Sequence, residues 1–72
     1  MLLSWRKENK YYNVLLQFNL FNGISVVCTW GNITNNRGNY KVIICDNEAE
    51  MEGVIENIKK RRKAKGYIMT KC

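Results

Sequence analysis

Apolar and polar positions alternate along residues 11–18, and one parity is occupied by Tyr12, Val14, Leu16 and Phe18. A period of two is typical of a β-strand that buries one face. Asn22-Gly23 follows and predicts a tight hairpin turn, because both central positions of such a turn require positive φ. A second strand is expected to return from Ile24 to Trp30.

A second hairpin, with a longer loop, is expected after Trp30-Gly31. Residues 32–38 are rich in asparagine, which favours turns and left-handed backbone. The apolar pattern resumes from Tyr40 to Cys45, and residues 2–7 form a short candidate edge strand. Together these segments predict an antiparallel sheet of three to five strands.

The next segment has the signals of an amphipathic helix. Asn47 suits the N-cap position with Glu50 three residues later, and Gly66 suits the C-terminal stop. An apolar stripe at helical spacing is formed by Met51, Val54, Ile55 and Ile58. The last two turns contain almost only bases and should project their charges into water. The predicted fold class is α+β, with one C-terminal helix packed on one face of a small antiparallel sheet.

The chain has 72 residues, enough for one small domain, which we place at residues 1–72. It has no histidine, and the spacing of Cys28, Cys45 and Cys72 matches no zinc or iron–sulfur pattern, so we expect neither a metal nor a cofactor. The cysteines of the predicted strands fit reduced, buried thiols of a cytoplasmic protein. No segment suits a signal peptide or a membrane span.

The net charge of +6 is unevenly distributed along the predicted helix. Residues 46–56 contain five acidic side chains and no base, whereas residues 57–72 contain seven bases and no acid. The helix macrodipole favours this order but does not require so dense a basic end. A basic cluster of this kind attracts phosphates.

Enzyme functions are disfavoured by the residue content. The chain lacks histidine, a glycine-rich phosphate loop and a nucleophile beside a suitable base, and a domain of this size has no room for a deep pocket. The acidic residues are assigned to the solvated helix face, since paired catalytic carboxylates need a pocket and opposed pKa shifts. We therefore expect a non-enzymatic binding module without catalytic residues.

Two features have both an ordinary and a functional interpretation. Strand parity places Trp30 with Ile24 and Val26, which favours a core residue, whereas its position near the strand end favours a rim residue that stacks on a sugar or base. The run Lys59–Lys65 is either a solvated helix end or a surface that neutralises phosphates. Its density favours the second interpretation.

Several short motifs occur in a fixed order over about residues 5–67: Asn9-Lys10-Tyr11-Tyr12, Asn19-Leu20-Phe21-Asn22-Gly23, Trp30-Gly31, Arg37-Gly38, Glu48-Ala49-Glu50 and Lys65-Gly66-Tyr67. Their order and spacing resemble those of the WGR domain, the Trp-Gly-Arg module of DNA-dependent poly(ADP-ribose) polymerases and of many small bacterial proteins. The resemblance implies a compact antiparallel sheet with one helix packed on it. It also implies a nucleic-acid role.

In the polymerases this module holds a DNA end or nick, with the motif tryptophan against the terminal sugar. The resemblance therefore implies that Trp30 stacks on the nucleic acid and that Gly31 lets the backbone approach. Asn32 stands where the family has its arginine, so a short neutral amide replaces a charged fork that could grip phosphate.

The leading hypothesis is a nucleic-acid-binding module with little base specificity, for which DNA is favoured over RNA and no membrane partner is expected. Its candidate contact residues are Trp30, Gly31, Asn32, Arg37, Lys41, Lys59, Lys60, Arg61, Arg62, Lys63 and Lys65. The alternative is a protein-interaction or homo-oligomerisation module that uses an edge strand or the sheet face opposite the helix. Exposed Tyr11 and Leu15 would indicate this alternative.

Overall fold

The computed structural model describes residues 2–19, 23–34 and 37–71, with the backbone alone described at residue 37. Along the chain, the secondary-structure elements are β1 (Leu2–Lys7), β2 (Lys10–Asn19), β3 (Gly23–Asn32), β4 (Arg37–Cys45), α1 (Glu48–Ala64) and β5 (Ile68–Lys71). The strands form one antiparallel sheet in the order β4-β3-β2-β1-β5. The predicted small α+β fold is confirmed.

The first strand lies inside the sheet, which corrects its prediction as an edge. β1 pairs with β2 on one side and with β5 on the other. The sequence pattern did not predict β5, because Ile68–Lys71 is only four residues long and follows directly on the helix stop. The helix is therefore followed by a strand that returns to the far edge of the sheet.

One face of the sheet packs against α1 and forms the core. The predicted parity is confirmed, since Val14 and Leu16 of β2 lie beside Val26 and Ile24 of β3 on this face. Phe18 shares their parity but is exposed. The buried core consists of Leu3, Trp5, Val14, Leu16, Ile24, Val26, Cys28, Cys45, Ile55 and Ile58. The predicted helix stripe also packs on it, with Met51 and Val54 half-buried.

The connection between β2 and β3 differs from the predicted Asn-Gly turn. Asn22 lies outside the described residues, but Gly23 is the first residue of β3 and pairs with Asn19. A two-residue turn centred on Asn22-Gly23 would place Phe21 opposite Ile24. The apolar residues of β2 would then lie opposite the residues of β3 that face away from its apolar side. The burial pattern instead requires an odd number of connecting residues, which residues 20–22 supply.

The asparagine-rich loop is shorter than predicted because both flanking strands extend into it. β3 continues to Asn32 and β4 begins at Arg37, where the two residues pair with each other. Asn35 and Asn36, in the middle of the predicted loop, lie outside the described residues. Trp30 is therefore two residues inside a strand rather than at its end.

The N-terminus of α1 confirms the predicted cap. Asn47 has extended backbone, and its Oδ1 accepts a hydrogen bond of 2.9 Å from the Glu50 backbone N–H. The Glu50 carboxylate accepts a hydrogen bond of 2.8 Å from the Asp46 N–H, one residue before the position of a standard capping box. Two backbone donors at the helix entrance are thereby satisfied.

The C-terminus of α1 is a Schellman motif closed by glycine. The Tyr67 N–H donates to the Arg62 carbonyl at 2.9 Å, and the Gly66 N–H donates to the Lys63 carbonyl at 3.0 Å. Gly66 has a φ of +84°, a conformation that side-chain-bearing residues adopt only with strain. The predicted stop at Gly66 is confirmed.

Gly66→Ala should lower the free energy of unfolding by about 1 kcal/mol, because alanine disfavours positive φ. Gly53 is the matched control: it lies within α1, and a Cβ added there meets no described atom within 4 Å. Gly53→Ala should raise stability by about 0.5–1 kcal/mol through helix propensity. Urea denaturation of the two variants measures both changes, and a stabilising Gly66→Ala would contradict the assigned cap.

The two strand cysteines are buried thiols, as predicted. Cys28 lies in β3 and Cys45 at the end of β4, and each is about 1% exposed. Burial, aided by the nearby carboxylates of Glu50 and Asp46, raises the pKa of the Cys45 thiol. Cys72 lies outside the described residues.

Candidate nucleic-acid interface

A row of aromatic residues crosses the helix-side face of the sheet. Register places Trp5 of β1 opposite Tyr12 of β2, and Tyr12 opposite Trp30 of β3. The row continues to Met69 on one side and to Asn39 on the other. Trp5 is 3% exposed, whereas Tyr12 and Trp30 are half-buried. The row therefore begins in the core and emerges towards β4.

The rings of this row are in direct contact. Trp5 and Tyr12 meet edge to face, with ring centroids 6.1 Å apart and an interplanar angle of 71°. Tyr12 and Trp30 stack, with centroids 5.8 Å apart and an angle of 16°. Such pairs stabilise by about 0.5–1.5 kcal/mol beyond area burial. Trp30 thus combines both interpretations: it packs against the core and is also partly accessible.

Arg62 covers the middle of the row and is an exception to the prediction that the last helical turns project their charges into water, which the exposed Lys60, Arg61 and Lys63 confirm. Its guanidinium carbon lies 4.1 Å from the centroid of Tyr12 and 5.0 Å from that of Tyr67. Its Nε is buried and has no hydrogen-bond partner among the described residues. Cation–π contacts therefore hold this guanidinium over the sheet.

Tyr12 is a neutral phenol at physiological pH. Burial raises its pKa to about 12, and its interaction with the Cys28 thiol acts in the same direction. The charges of Arg62 and Arg61 favour the phenolate but do not offset the burial. Tyr12 therefore contributes an uncharged ring that braces Trp30 and carries Arg62.

A groove of about 470 Å³ opens where the aromatic row meets the C-terminal end of α1. The described residues that line it are Lys10, Tyr12, Trp30, Gly31, Asn32, Lys41, Arg62, Lys65 and Tyr67. Four of them are basic and none is acidic. We call this site the aromatic–basic groove. Its chemistry suits a ligand that combines a flat ring with negative charge.

The helix end beside the groove carries partial negative charge, which the surrounding residues offset. The Schellman hydrogen bonds satisfy the carbonyls of Arg62 and Lys63. The Lys7 ammonium donates to the Lys65 carbonyl. A cation at this position also opposes the negative end of the helix dipole. The partial negative charge at the end of α1 therefore does little to weaken the attraction between the groove cations and an anionic ligand.

Asn32 uses its side chain to shape the loop after β3. Its Oδ1 accepts hydrogen bonds from the Thr34 backbone N–H at 2.9 Å and from the Thr34 hydroxyl at 2.7 Å. In register it lies opposite Lys10, which also lines the groove. The Asn32 side chain therefore has a structural task, and the neighbouring lysine supplies a positive charge.

The groove collects six of the predicted contact residues, namely Trp30, Gly31, Asn32, Lys41, Arg62 and Lys65. Lys59 and Lys63 line a separate cavity of about 290 Å³ with Trp5, Tyr67 and Met69. Lys60 and Arg61 are exposed, and Arg61 lines a small cleft near β4. The Arg37 side chain lies outside what the structure describes.

Three residues that line the groove were not among the contact residues predicted from the sequence. Lys10 and Tyr12 come from β2, and their signal is cross-strand register: they pair with Asn32 and Trp30. Tyr67 follows the helix stop and belongs to the Lys65-Gly66-Tyr67 motif, for which no contact role of the tyrosine was predicted. Its ring faces the Arg62 guanidinium because the Schellman turn folds the chain back at this point.

On the sheet face opposite the helix, only one of the two residues that would indicate a protein-interaction module is exposed. Leu15 is exposed there, but Tyr11 is half-buried. Tyr11 lies in register with Gly31 and Gly38. A Cβ built on Gly38 would meet the Tyr11 hydroxyl at 3.0 Å, so the missing side chain makes room for the ring.

Within residues 2–19, 23–34 and 37–71, no three histidine, cysteine or acidic side chains are placed to hold a metal ion. The same ranges contain no helix of the length and apolarity needed to cross a membrane.

Fold and groove together define a small α+β module with a basic, partly aromatic groove. The family model described as the WGR domain matches residues 4–71, so the chain belongs to the WGR domain family. WGR domains are nucleic-acid-binding modules of non-catalytic type. Neither the curated proteins nor the solved structures include a significant match.

Proposed function

We propose that this protein is a non-enzymatic nucleic-acid-binding module that uses the aromatic–basic groove to hold DNA at ends, at nicks or along the backbone. The observation that carries the proposal is the presence of an accessible tryptophan and four cations in one groove. Stacking and phosphate neutralisation are the two interactions that bind nucleic acids without regard to sequence.

Trp30 supplies the stacking surface. One face of its ring lies against Tyr12, so only the other face can receive a ligand. A ring that is open on one face suits a terminal sugar or base and does not suit intercalation between two bases. This geometry supports binding at ends and nicks, where the last nucleotide has lost one stacking neighbour.

The cations supply the phosphate contacts. Lys10, Lys41 and Lys65 surround the groove, while Arg62 is fixed above Tyr12. A set of further bases extends the positive field along the helix: Lys59, Lys60, Arg61 and Lys63. The Asn32 Oδ1 is engaged by Thr34, so the side chain cannot use both its oxygen and its nitrogen for a bidentate contact with adenine, which supports low base specificity.

The experiment is a titration of blunt, nicked and single-stranded oligonucleotides at two salt concentrations. Affinity should fall steeply with salt, because cations that bind phosphates release counterions. Trp30→Ala should weaken binding by about 1–3 kcal/mol, or roughly 5- to 150-fold, the value of one stacked base.

Phe18→Ala is the matched control for this titration. Phe18 is an exposed aromatic on the same face of the sheet, at the other end of β2. Its removal should leave the affinity unchanged. Affinity that is independent of salt and equal in both variants would exclude the groove as the binding site.

A further inference from the structure

β4 presents an unpaired edge of the described sheet. It has β3 on one side, and no described strand lies on the other. Nine residues, Arg37–Cys45, therefore offer a row of backbone N–H and C=O groups on that side. Such an edge is a template for pairing with another strand.

The side chains of this edge are apolar and exposed on the sheet face away from the helix. Tyr40 is 76% exposed, Val42 47% and Ile44 70%. Natural edge strands are usually protected by charge, proline or shortness. Among the described side chains of β4, only Lys41 is charged, and it lies on the helix side as its pairing with Cys28 shows.

The helix side of the same edge carries apolar side chains beside polar ones. Ile43 of β4 and Val54 of α1 line a cleft of about 180 Å³ with Ile58, Asn57 and Arg61. The β4 edge therefore has apolar surface on both faces of the sheet. The opposite edge differs, because β5 has only four residues and includes Lys71.

We propose that the β4 edge pairs with the β4 edge of a second copy of this chain, antiparallel and about a two-fold axis perpendicular to the sheet, with Val42 opposite Val42. The two sheets then form one continuous sheet. A two-fold axis makes the contact self-complementary, so the edge needs no partner of different chemistry. The interface itself is independent of the proposed nucleic-acid function.

Charge along the strand selects this register. Pairing centred on Lys41 would use the whole strand but would place the two Lys41 ammonium groups opposite each other. Centring on Val42 places Lys41 opposite Ile43, and Tyr40 opposite Ile44. Centring on Ile43 would shorten the paired segment and place Tyr40 against Asp46, beyond the strand. Centring on Tyr40 would pair seven residues as well, but it would leave Ile44 without a partner inside the strand. Only the Val42 register keeps the Lys41 side chains apart and also pairs the three exposed apolar side chains of the edge with one another.

The size of the contact indicates a weak dimer. Stable two-fold interfaces bury about 800 Å² on each partner. The seven paired residues form a contact about 24 Å long and roughly 10 Å thick, so each partner buries only on the order of a few hundred Å². The dimer should therefore form between micromolar and millimolar concentration, and salt should strengthen it by screening the repulsion between two chains of charge +6.

One consequence concerns the aromatic–basic groove. A two-fold axis perpendicular to the sheet keeps both helices, and hence both grooves, on the same side of the continuous sheet. If the proposed function is correct, the dimer presents two binding sites to one nucleic acid, and avidity follows from their linkage.

Sedimentation equilibrium of the full chain without nucleic acid tests the pairing. The wild-type protein should shift from monomer to dimer as concentration rises, and more so at high salt. Ile44→Lys should raise the dimer dissociation constant at least about tenfold, the cost of a charge in an apolar contact. Ile68→Lys on β5 is the matched control, because Ile68 is 71% exposed at the opposite edge, and it should leave the dimer intact.

A cross-link tests the register. Val42→Cys, made together with Cys72→Ser and treated with dissolved oxygen and a copper–phenanthroline catalyst, should form a disulfide-linked dimer rapidly, because directly opposed strand residues lie within disulfide range and oxygen accepts the two electrons of the two thiols. Thr70→Cys on β5 in the same background should remain monomeric under the same conditions.

A monomer at all concentrations, or equal loss of the dimer in the two lysine variants, would overturn the proposal. Each of these results concerns protein without nucleic acid, so the outcome is separate from that of the oligonucleotide titration. The two salt dependences are also opposite in sign: salt strengthens the dimer and weakens nucleic-acid binding.

Discussion

Replacing Lys10, Lys41 and Lys65 together by glutamine should remove most of the salt-dependent affinity for DNA. Each phosphate contact contributes a slope of about −0.9 in a plot of log affinity against log salt, so loss of three contacts should reduce the slope by about 2.7. The affinity at low salt should fall at least about tenfold, since three charge-assisted contacts are lost. Fluorescence anisotropy with a labelled blunt duplex at several salt concentrations measures both quantities.

The matched control removes the same amount of charge from the other side of the helix. Lys59, Lys60 and Lys63 lie outside the aromatic–basic groove, and their replacement by glutamine also lowers the net charge from +6 to +3. The control variant should keep most of the slope of log affinity against log salt, because the three replaced lysines contribute a diffuse positive field and do not contact phosphates in the groove. Equal losses in the two triple variants would show that net charge, and not the groove, governs binding.

Trp5→Ala should remove a large part of the free energy of unfolding of this protein. Trp5 is almost fully buried and packs edge to face on Tyr12, and truncation of such a side chain costs about 3–5 kcal/mol. A domain of this length is expected to have a total stability of roughly 4–11 kcal/mol. Circular dichroism during urea or thermal denaturation measures the loss.

Trp30→Ala gives the contrast within the same aromatic row. Trp30 is half-buried, so its truncation should cost less stability than that of Trp5 and should leave a folded protein. The two tryptophans are thereby assigned different tasks, one structural and one functional. Unfolding by Trp30→Ala to the same extent as by Trp5→Ala would assign Trp30 to the core instead.

The core and the helix were predictable because their signals are local. Alternation over β2 and β3 identified the buried parity that contains Val14 and Val26. The cap at Asn47 and the stop at Gly66 depend on residues that satisfy backbone groups within one helical turn. Short-range signals of this kind need no knowledge of the tertiary structure.

The strand register was harder to predict because two signals disagreed. Asn22-Gly23 favours a two-residue turn, whereas the shared parity of Leu16 and Val26 requires an odd connection. Burial of a whole sheet face outweighs the preference of one dipeptide. The conflict was visible in the sequence and could have been resolved in favour of the parity.

The composition of the groove depends on this register and on the helix position. Tyr12 is recognised as the brace of Trp30 only when the two are known to be opposite. Arg62 differs from its basic neighbours only because it faces the sheet and meets two tyrosine rings. The signal that was missed is helical periodicity, since Arg62 lies four residues after Ile58 and seven after Ile55 and so continues the sheet-facing stripe of the helix.

Binding of nucleic acid at Trp30 can be observed directly, with the two tryptophans of the chain as internal probes. Proton–nitrogen correlation spectra record one indole N–H signal for each, and a short blunt duplex is added to saturation. The Trp30 indole signal should shift or broaden strongly, because this ring lines the aromatic–basic groove. The signal of the buried Trp5 should change little. Saturating binding that leaves the Trp30 signal unmoved would contradict the account.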